Sequence, residues 1–210
     1  MSEMQQAERS QNIPKPDLSK VTAISREVYK GDNGYQRYDP AELGPMPLPG
    51  GPGAYVANAS EHDGVGDSTH LPGRHIRGTE RRFGKLKLLN DGPYEIENPD
   101  AKIAVMPWGG SKGTVLEAYR QLRDEGVDIG WIYSMTLNPL PKPIEDQLST
   151  TDLVIVPELN YQGQWSRLLR SDGYRATSIT QYTGLPFKVG FLVEEIKQAI
   201  EAHKGGKVLV

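Results

Sequence analysis

The sequence contains no cysteine, so this chain's own residues supply no disulfide, no thiolate nucleophile and no cysteine-ligated iron-sulfur cluster. Any redox centre it serves belongs to a partner. A long apolar run is also missing: no stretch approaches the roughly 20 residues that a bilayer-crossing helix needs. The first residues form no apolar signal core. The expectation is a cytoplasmic protein with no membrane partner. A basic surplus is absent as well, since 24 Lys and Arg stand against 27 Asp and Glu for a net charge of -3. That balance gives no support to a general nucleic-acid binder. Apolar residues make up only 37% of 210 positions, which is little for one core of that length. A compact domain with long flanks is expected.

What the chain has in quantity is glycine and proline, 23 and 16 residues, concentrated before residue 100. Residues 1–28 open with a polar stretch without periodicity and read as a flexible leader. Residues 29–95 form an extended proline- and glycine-rich arm. Its GPMPLPGGPGAY stretch follows Tyr29, Tyr35 and Tyr38, and the prolines at 40, 45, 47, 49 and 52 exclude an interior strand or helix there. Such an arm keeps its path only if its tyrosines pack on a surface, expected to belong partly to a partner.

Within the arm, Glu61, His62, Asp63, Asp67, His70 and His75 crowd three acids and three imidazoles into fifteen positions, 61 to 75. Imidazole and carboxylate suit several divalent ions. The spacing matches no zinc pattern, and the competing reading is a loop whose acids and imidazoles bond backbone groups, or one that leans into a neighbouring active site. From Arg74 to Lys87 six basic residues face only Glu80. They suit phosphates or an acidic partner, or else a solvated helix whose Ile76, Phe83 and Leu86 touch the core. Asn90, Asp91, Gly92 and Pro93 then mark a turn that closes the arm.

Residues 96–210 alternate between strand and helix patterns: strands over 102–107, 128–135, 152–157 and 176–182, and helices over 111–125, 144–148, 163–169 and 189–202. Lys207 to Val210 are expected to add an edge strand. Four strand-helix alternations predict an α/β fold, an open and mostly parallel Rossmann-like sheet with helices on both faces. Two strand ends attract notice. Trp108 to Gly113, WGGSKG, fits neither G-x-G-x-x-G nor a P-loop. An anion at the helix start formed by Gly110, Ser111, Lys112 and Gly113 competes with a plain cap by Ser111. Glu158, Asn160, Gly163, Gln164 and Arg167 lie at another carboxyl edge, where such sheets bind ligands, though the polar side chains equally suit loop backbone groups.

With these stretches in view, the chain resembles the α subunit of 2-oxoacid:ferredoxin oxidoreductases, in the portion similar to the C-terminal domain of transketolase. The resemblance rests on YQRY at 35–38, PLPGGPGAYV at 47–56, SEHDGVGD at 60–67, WGGSKGTVLEAYRQLRDEG from Trp108, LNPLP at 137–141, PELNYQGQWSRLLR at 157–170 and GLPF at 184–187, all in the family's order. It implies a subunit of an enzyme, of the 2-oxoglutarate type, that decarboxylates a 2-oxoacid on thiamine diphosphate and Mg, forms acyl-CoA from CoA and passes electrons through iron-sulfur clusters to ferredoxin. Those cofactors are implied on partner chains, a pyrimidine-binding α-like chain and a thiamine-diphosphate-binding β chain. The usual α chain carries a pyrimidine-binding domain first, so the expectation is a split enzyme or the downstream half of one. Glu158, Asn160, Gly163 and Gln164 match the family's Glu-Asn-x-x-Gly-Gln pattern, with Pro157 in place of a more typical strand residue. The match at Glu61, His62 and Asp63 places these residues near a subunit boundary or the substrate entrance. No catalytic or metal-binding residue is implied on this chain, whose expected role is a scaffold. The alternative reading is a stand-alone module that docks a nucleotide or CoA-like ligand at Ser111 to Gly113 and Asn160.

Overall fold

Along residues 103–106 and 153–156 every side chain is apolar, and a strand of that kind is stable only when both of its faces are covered. In the computed structural model, which describes residues 17–20, 27–31, 34–38, 44–55, 57–89 and 92–206, these strands lie inside one five-stranded sheet. The strands are β1 (Tyr94–Glu97), β2 (Ile103–Val105), β3 (Gly130–Ser134), β4 (Leu153–Glu158) and β5 (Ala176–Thr180). Their order across the sheet is β1-β3-β2-β4-β5, and all pairs are parallel except the antiparallel edge pair of β1 with β3. The expected parallel α/β architecture is therefore present, and β2, β3, β4 and β5 are each followed by a helix. Strand β1 is an addition to the expected set. The final residues, 207–210, for which an edge strand is expected, lie outside the described residues.

The period-2 alternation of each strand separates two cores. Ile103, Val105, Ile129, Trp131 and Ile155 face α2 (Lys112–Asp124) and α5 (Val189–Lys204), which add Val115, Leu122, Leu192 and Ile196. Ala104, Met106, Ile132, Val154 and Val156 face the opposite side. There α3 (Lys142–Thr150) and α4 (Gln164–Ser171) add Ile144, Leu148, Trp165 and Leu169. Each fully buried aliphatic side chain of this kind is worth about 1.5–3 kcal/mol. The helices are short, so this burial, more than propensity, holds them. Among the described residues no helix is long and apolar enough to cross a membrane.

Contacts divide the chain into two units, residues 1–88 and 89–210. The second contains the sheet and takes in the whole of β1, which the expected boundary between residues 95 and 96 divides. The first contains one α-helix among the described residues, α1 (Pro72–Gly84), followed by a 3-10 turn at Lys85–Leu89. The expected packing of this helix is corrected: no residue of α1 is buried, and Ile76 and Phe83 are 56% and 66% exposed. On a 100° helical wheel these two fall opposite Arg74, Gly78 and Arg81, and it is the arginine side that meets the unit's own loops.

The arm has no strand or helix through residues 44–55, as its prolines require. Its tyrosines pack on one another. Tyr35 lies between Tyr29 and Tyr55, at ring separations of 4.7 and 5.9 Å, and Tyr38 continues the series to His62 at 3.9 Å. Tyr35 is buried, and its hydroxyl donates to the Pro45 carbonyl at 2.7 Å. Most of the expected leader, 1–16 and 21–26, lies outside the described residues, as does Pro40.

Candidate functional site

The order of the strands fixes where a ligand crevice belongs. The chain leaves β2 through α2 to reach β3 on one side, then returns through α3 to β4 on the other, so the carboxyl ends of β2 and β4 flank the topological switch point. These are the two strand ends selected from the sequence. Gly110 to Gly113 follow β2, Glu158 ends β4 and Asn160 to Gln164 follow it, and the sheet brings the two groups to one edge.

What the side chains do there is largely internal. Glu158 is 1% exposed, and its Oε2 accepts from the Trp165 N–H at 2.8 Å and from Asn160 Nδ2 at 2.9 Å. Its Oε1 accepts from the Ser166 N–H at 2.9 Å. A carboxylate thus sits on the unpaired amides at the start of α4, where both the hydrogen bonds and the helix dipole favour negative charge. Asn160 Oδ1 takes the Gln164 N–H at 3.2 Å, which finishes that turn. Gly163 makes it possible: its φ of +62° is left-handed, and a Cβ there would lie 2.7 Å from Ser178 Oγ. Glu158 and Gly163 are buried, Asn160 is half-buried, and Gln164 is exposed. Exposed Tyr161 stands edge-on to Tyr182 at 4.9 Å.

At the end of β2 the simple cap by Ser111 is corrected. Residues 109–111 form a 3-10 turn, Ser111 has helical backbone angles, and its hydroxyl donates back to the Trp108 carbonyl at 2.8 Å instead of capping α2. Lys112 reaches β1: its Nζ lies 2.6 Å from Glu95 Oε1 and 4.0 Å from the centre of the Tyr133 ring. Glu95 Oε2 also accepts from the buried Trp131 indole at 3.1 Å. The hydrogen bond from Lys112, more than that from Trp131, holds the Glu95 carboxyl below its ordinary range against the opposing effect of burial.

The Glu61 to Asp63 loop lies in the first unit, and α1 organises it. Asp63 Oδ1 accepts from the N–H groups of Val65, Gly66 and Asp67 at 3.0, 3.1 and 3.1 Å, while Oδ2 lies 2.6 Å from Arg74. Burial works to raise the Asp63 pKa, but the amides of Asp67 and Val65 together with Arg74 bring it below the usual value. Arg82 grips Glu61 with two nitrogens at 3.1 and 2.8 Å, and this hydrogen bonding is the main reason the Glu61 carboxyl is also depressed. His75 Nδ1 lies 3.0 Å from Glu61 Oε2. Gly78, one turn before Arg82, leaves the room that the Glu61 carboxylate occupies. His62 stacks on Tyr38, whose other contacts include the Arg81 guanidinium 5.6 Å from the ring centre.

Of the three sequence readings for this loop, the backbone-bonding one describes Asp63, whose Oδ1 takes three amides, whereas Glu61 is held by the side chains of Arg82 and His75. Among the described residues no three His, Asp or Glu side chains converge in a way that holds a metal ion. The loop's partners Arg74 and Arg82 were visible only as part of a basic run. Their 74, 78, 82 spacing, one turn at a time, was the signal that they share a face.

Most of the chain finds a counterpart in known proteins. The solved 2-oxoglutarate:ferredoxin oxidoreductase from Magnetococcus marinus, with 2-oxoglutarate, coenzyme A and succinyl-CoA bound, superposes on 90% of this chain with a TM-score of 0.73 and 31% identity. The chain matches part of an α subunit of the 2-oxoacid:ferredoxin oxidoreductases. It is 28% identical over 201 residues to the 2-oxoglutarate oxidoreductase subunit KorA of Mycobacterium tuberculosis, a match covering 92% of this chain and 30% of KorA. It is 28% identical over 213 residues to the α subunit of 2-oxoacid:ferredoxin oxidoreductase 1 of Aeropyrum pernix, covering 94% and 33%. The chain therefore spans about a third of the length of these α subunits, and 34% of the Magnetococcus chain. No family model matches it.

Proposed function

We propose that the chain is a scaffolding and subunit-interface component of a thiamine-diphosphate-dependent 2-oxoacid:ferredoxin oxidoreductase, with 2-oxoglutarate the favoured substrate. The observation that supports this best is the likeness to the Magnetococcus enzyme along 90% of the chain. In the reaction the 2-oxoacid loses its carboxyl group as CO2, the remaining acyl carbon is bonded to the CoA sulfur in place of the thiol proton, and two electrons pass to ferredoxin. Thiamine diphosphate would supply the electron sink for the decarboxylation. The chain has no cysteine with which to ligate an iron-sulfur cluster. Following the family resemblance, the cofactor, its Mg and the iron-sulfur cluster are assigned to partners, a pyrimidine-binding α-like chain and a thiamine-diphosphate-binding β chain. No chemical step is given to this chain.

Its own part is positional. Glu158, Asn160, Gly163 and the buried Ser111 shape the carboxyl edge rather than react, and Gly110, Lys112, Gly113 and Gln164 line that edge as a surface for substrate or a neighbouring chain. Glu61, His62 and Asp63 are held by α1 as an interface or substrate-entrance loop. The rival reading, a stand-alone module for a CoA-like or nucleotide ligand at Ser111 to Gly113, loses its cation because Lys112 is bound to Glu95. Reconstitution separates the two: companion chains assayed with 2-oxoglutarate, CoA and ferredoxin should reduce ferredoxin only when this chain is added. Equal reduction without it overturns the proposal.

A further inference from the structure

Beside the loop of the first unit lies a cavity of about 790 Å³ that no step above uses. Arg74, Arg77, Arg81, Arg82 and Lys87 line it, opposed by the carboxylates of Asp63 and Glu80. In a chain whose net charge is -3 this is a local reversal of sign. We propose that this cleft binds a small polyanion carrying more than one phosphate group.

Three observations carry the assignment. The cations are not merely scattered over a surface: Arg74 and Arg82 are anchored by Asp63 and Glu61, so their guanidinium planes are set before a ligand arrives and their remaining N–H donors have fixed directions. Arg77 and Lys87, by contrast, have no carboxylate at ion-pair distance among the described residues, which leaves two cations of the lining for a guest. The lining is also open at Gly84, where nothing lies within 4 Å of the position a Cβ would take. The size then selects the guest. A cavity of this volume falls within the roughly 300–1,000 Å³ of organic-ligand pockets, well beyond a lone phosphate ion. Several cations along one wall match a chain of phosphates, whose oxygens accept charge-assisted bonds from arginine. A concave wall of this size suits a small molecule better than the flatter face of an acidic protein. All of the residues named as lining the cleft are this chain's own.

The test is calorimetric titration of the full chain with tripolyphosphate, ADP and CoA, with citrate as a polyanion that lacks phosphate. Saturable binding of at least one phosphate compound, weakening as salt rises, is expected. The double variant Arg77→Gln/Lys87→Gln should lose about tenfold or more in affinity, since two charge-assisted contacts go. Its circular dichroism should match the parent, because neither side chain is in an ion pair among the described residues. Lys112→Gln should bind as the parent does. Tighter binding of ADP and CoA than of tripolyphosphate marks a nucleotide-type guest, and the reverse an inorganic one; both support the site. No saturable binding, citrate binding equal to that of the phosphates, unchanged affinity in the double variant, or loss on Lys112→Gln would each overturn it.

Discussion

Arg82 meets Glu61 with both terminal nitrogens, Nη1 to Oε1 at 3.1 Å and Nη2 to Oε2 at 2.8 Å, and so ties helix α1 to a loop 21 positions earlier in the chain. Two parallel bonds fix the orientation of the carboxylate as well as its distance. Because Arg82 depresses the Glu61 carboxyl, the contact stabilises the loop at pH values above the ordinary glutamate pKa of about 4.3 and is lost as pH falls through the lower folded value. Carbon-detected NMR of Glu61 should show that low titration midpoint in the parent and a return toward the ordinary value in Arg82→Gln. An unshifted midpoint in the parent would remove the pair from the account.

Glu158 offers a sharper case, because it is buried and takes three hydrogen bonds. In Glu158→Gln one acceptor oxygen becomes an NH2 group that cannot receive an N–H from the first turn of α4. A buried amide left unpaired costs about 1–3 kcal/mol. Urea denaturation of the full chain should show a loss of that size. A variant as stable as the parent would mean that water or a rearranged turn takes over the amides.

At Gly163 the backbone itself is the constraint. Alanine there meets the left-handed φ of +62° and the Ser178 and Ser166 hydroxyls, at 2.7 and 2.9 Å from the new Cβ. We expect Gly163→Ala to cost about 1–3 kcal/mol from backbone strain, with the side-chain collision added. Gly113→Ala, with nothing within 4 Å of its Cβ and an ordinary φ, serves as the control and should be near neutral. Thermal melts of the two variants make the comparison.

The strand-helix alternation was legible because β2, β4 and α2 carry patterns that admit one reading: two apolar runs covered on both faces, and a helix with Val115, Ala118, Tyr119 and Leu122 on one stripe. Strand β1 was not. Its four residues, YEIE, have one half-buried apolar side chain, and it exists through pairing with β3 and through Glu95, whose partners Lys112 and Trp131 lie 17 and 36 positions away. For α1 the hydrophobic residues misled. Ile76 and Phe83 stand at helical spacing, which suggests a core face, yet the arginine face is the one with local partners. At the candidate site, the positions at strand ends could be read from periodicity, whereas the use of Glu158 as a helix-start acceptor needs three dimensions. A carboxylate seven residues before the amide it accepts looks the same in sequence as one waiting for a ligand.

The edge pairing of Glu95 makes a further prediction. Glu95→Leu leaves the buried Trp131 N–H without its acceptor, which costs about 1–3 kcal/mol. Lys112→Gln removes a partly exposed ion pair, worth less than about 1 kcal/mol, and the contact over the Tyr133 ring, worth about 0.5–1 kcal/mol, and leaves no buried group unpaired. Since the Glu95 carboxyl is depressed, its contribution is present above the ordinary glutamate pKa and lost as pH falls through the folded value. Denaturation at neutral pH should rank Glu95→Leu well below Lys112→Gln, and the reverse ranking would assign the contact to the lysine.

The central claim is that this chain works within a 2-oxoacid:ferredoxin oxidoreductase, and purification from its native source under mild, oxygen-free conditions tests it most directly. The tagged chain should bring down companions carrying thiamine diphosphate and iron-sulfur clusters, and the eluate should reduce ferredoxin when given 2-oxoglutarate and CoA together. Recovery of the chain as a monomer, with no thiamine- or cluster-bearing companion and no 2-oxoacid-dependent reduction, would contradict the account.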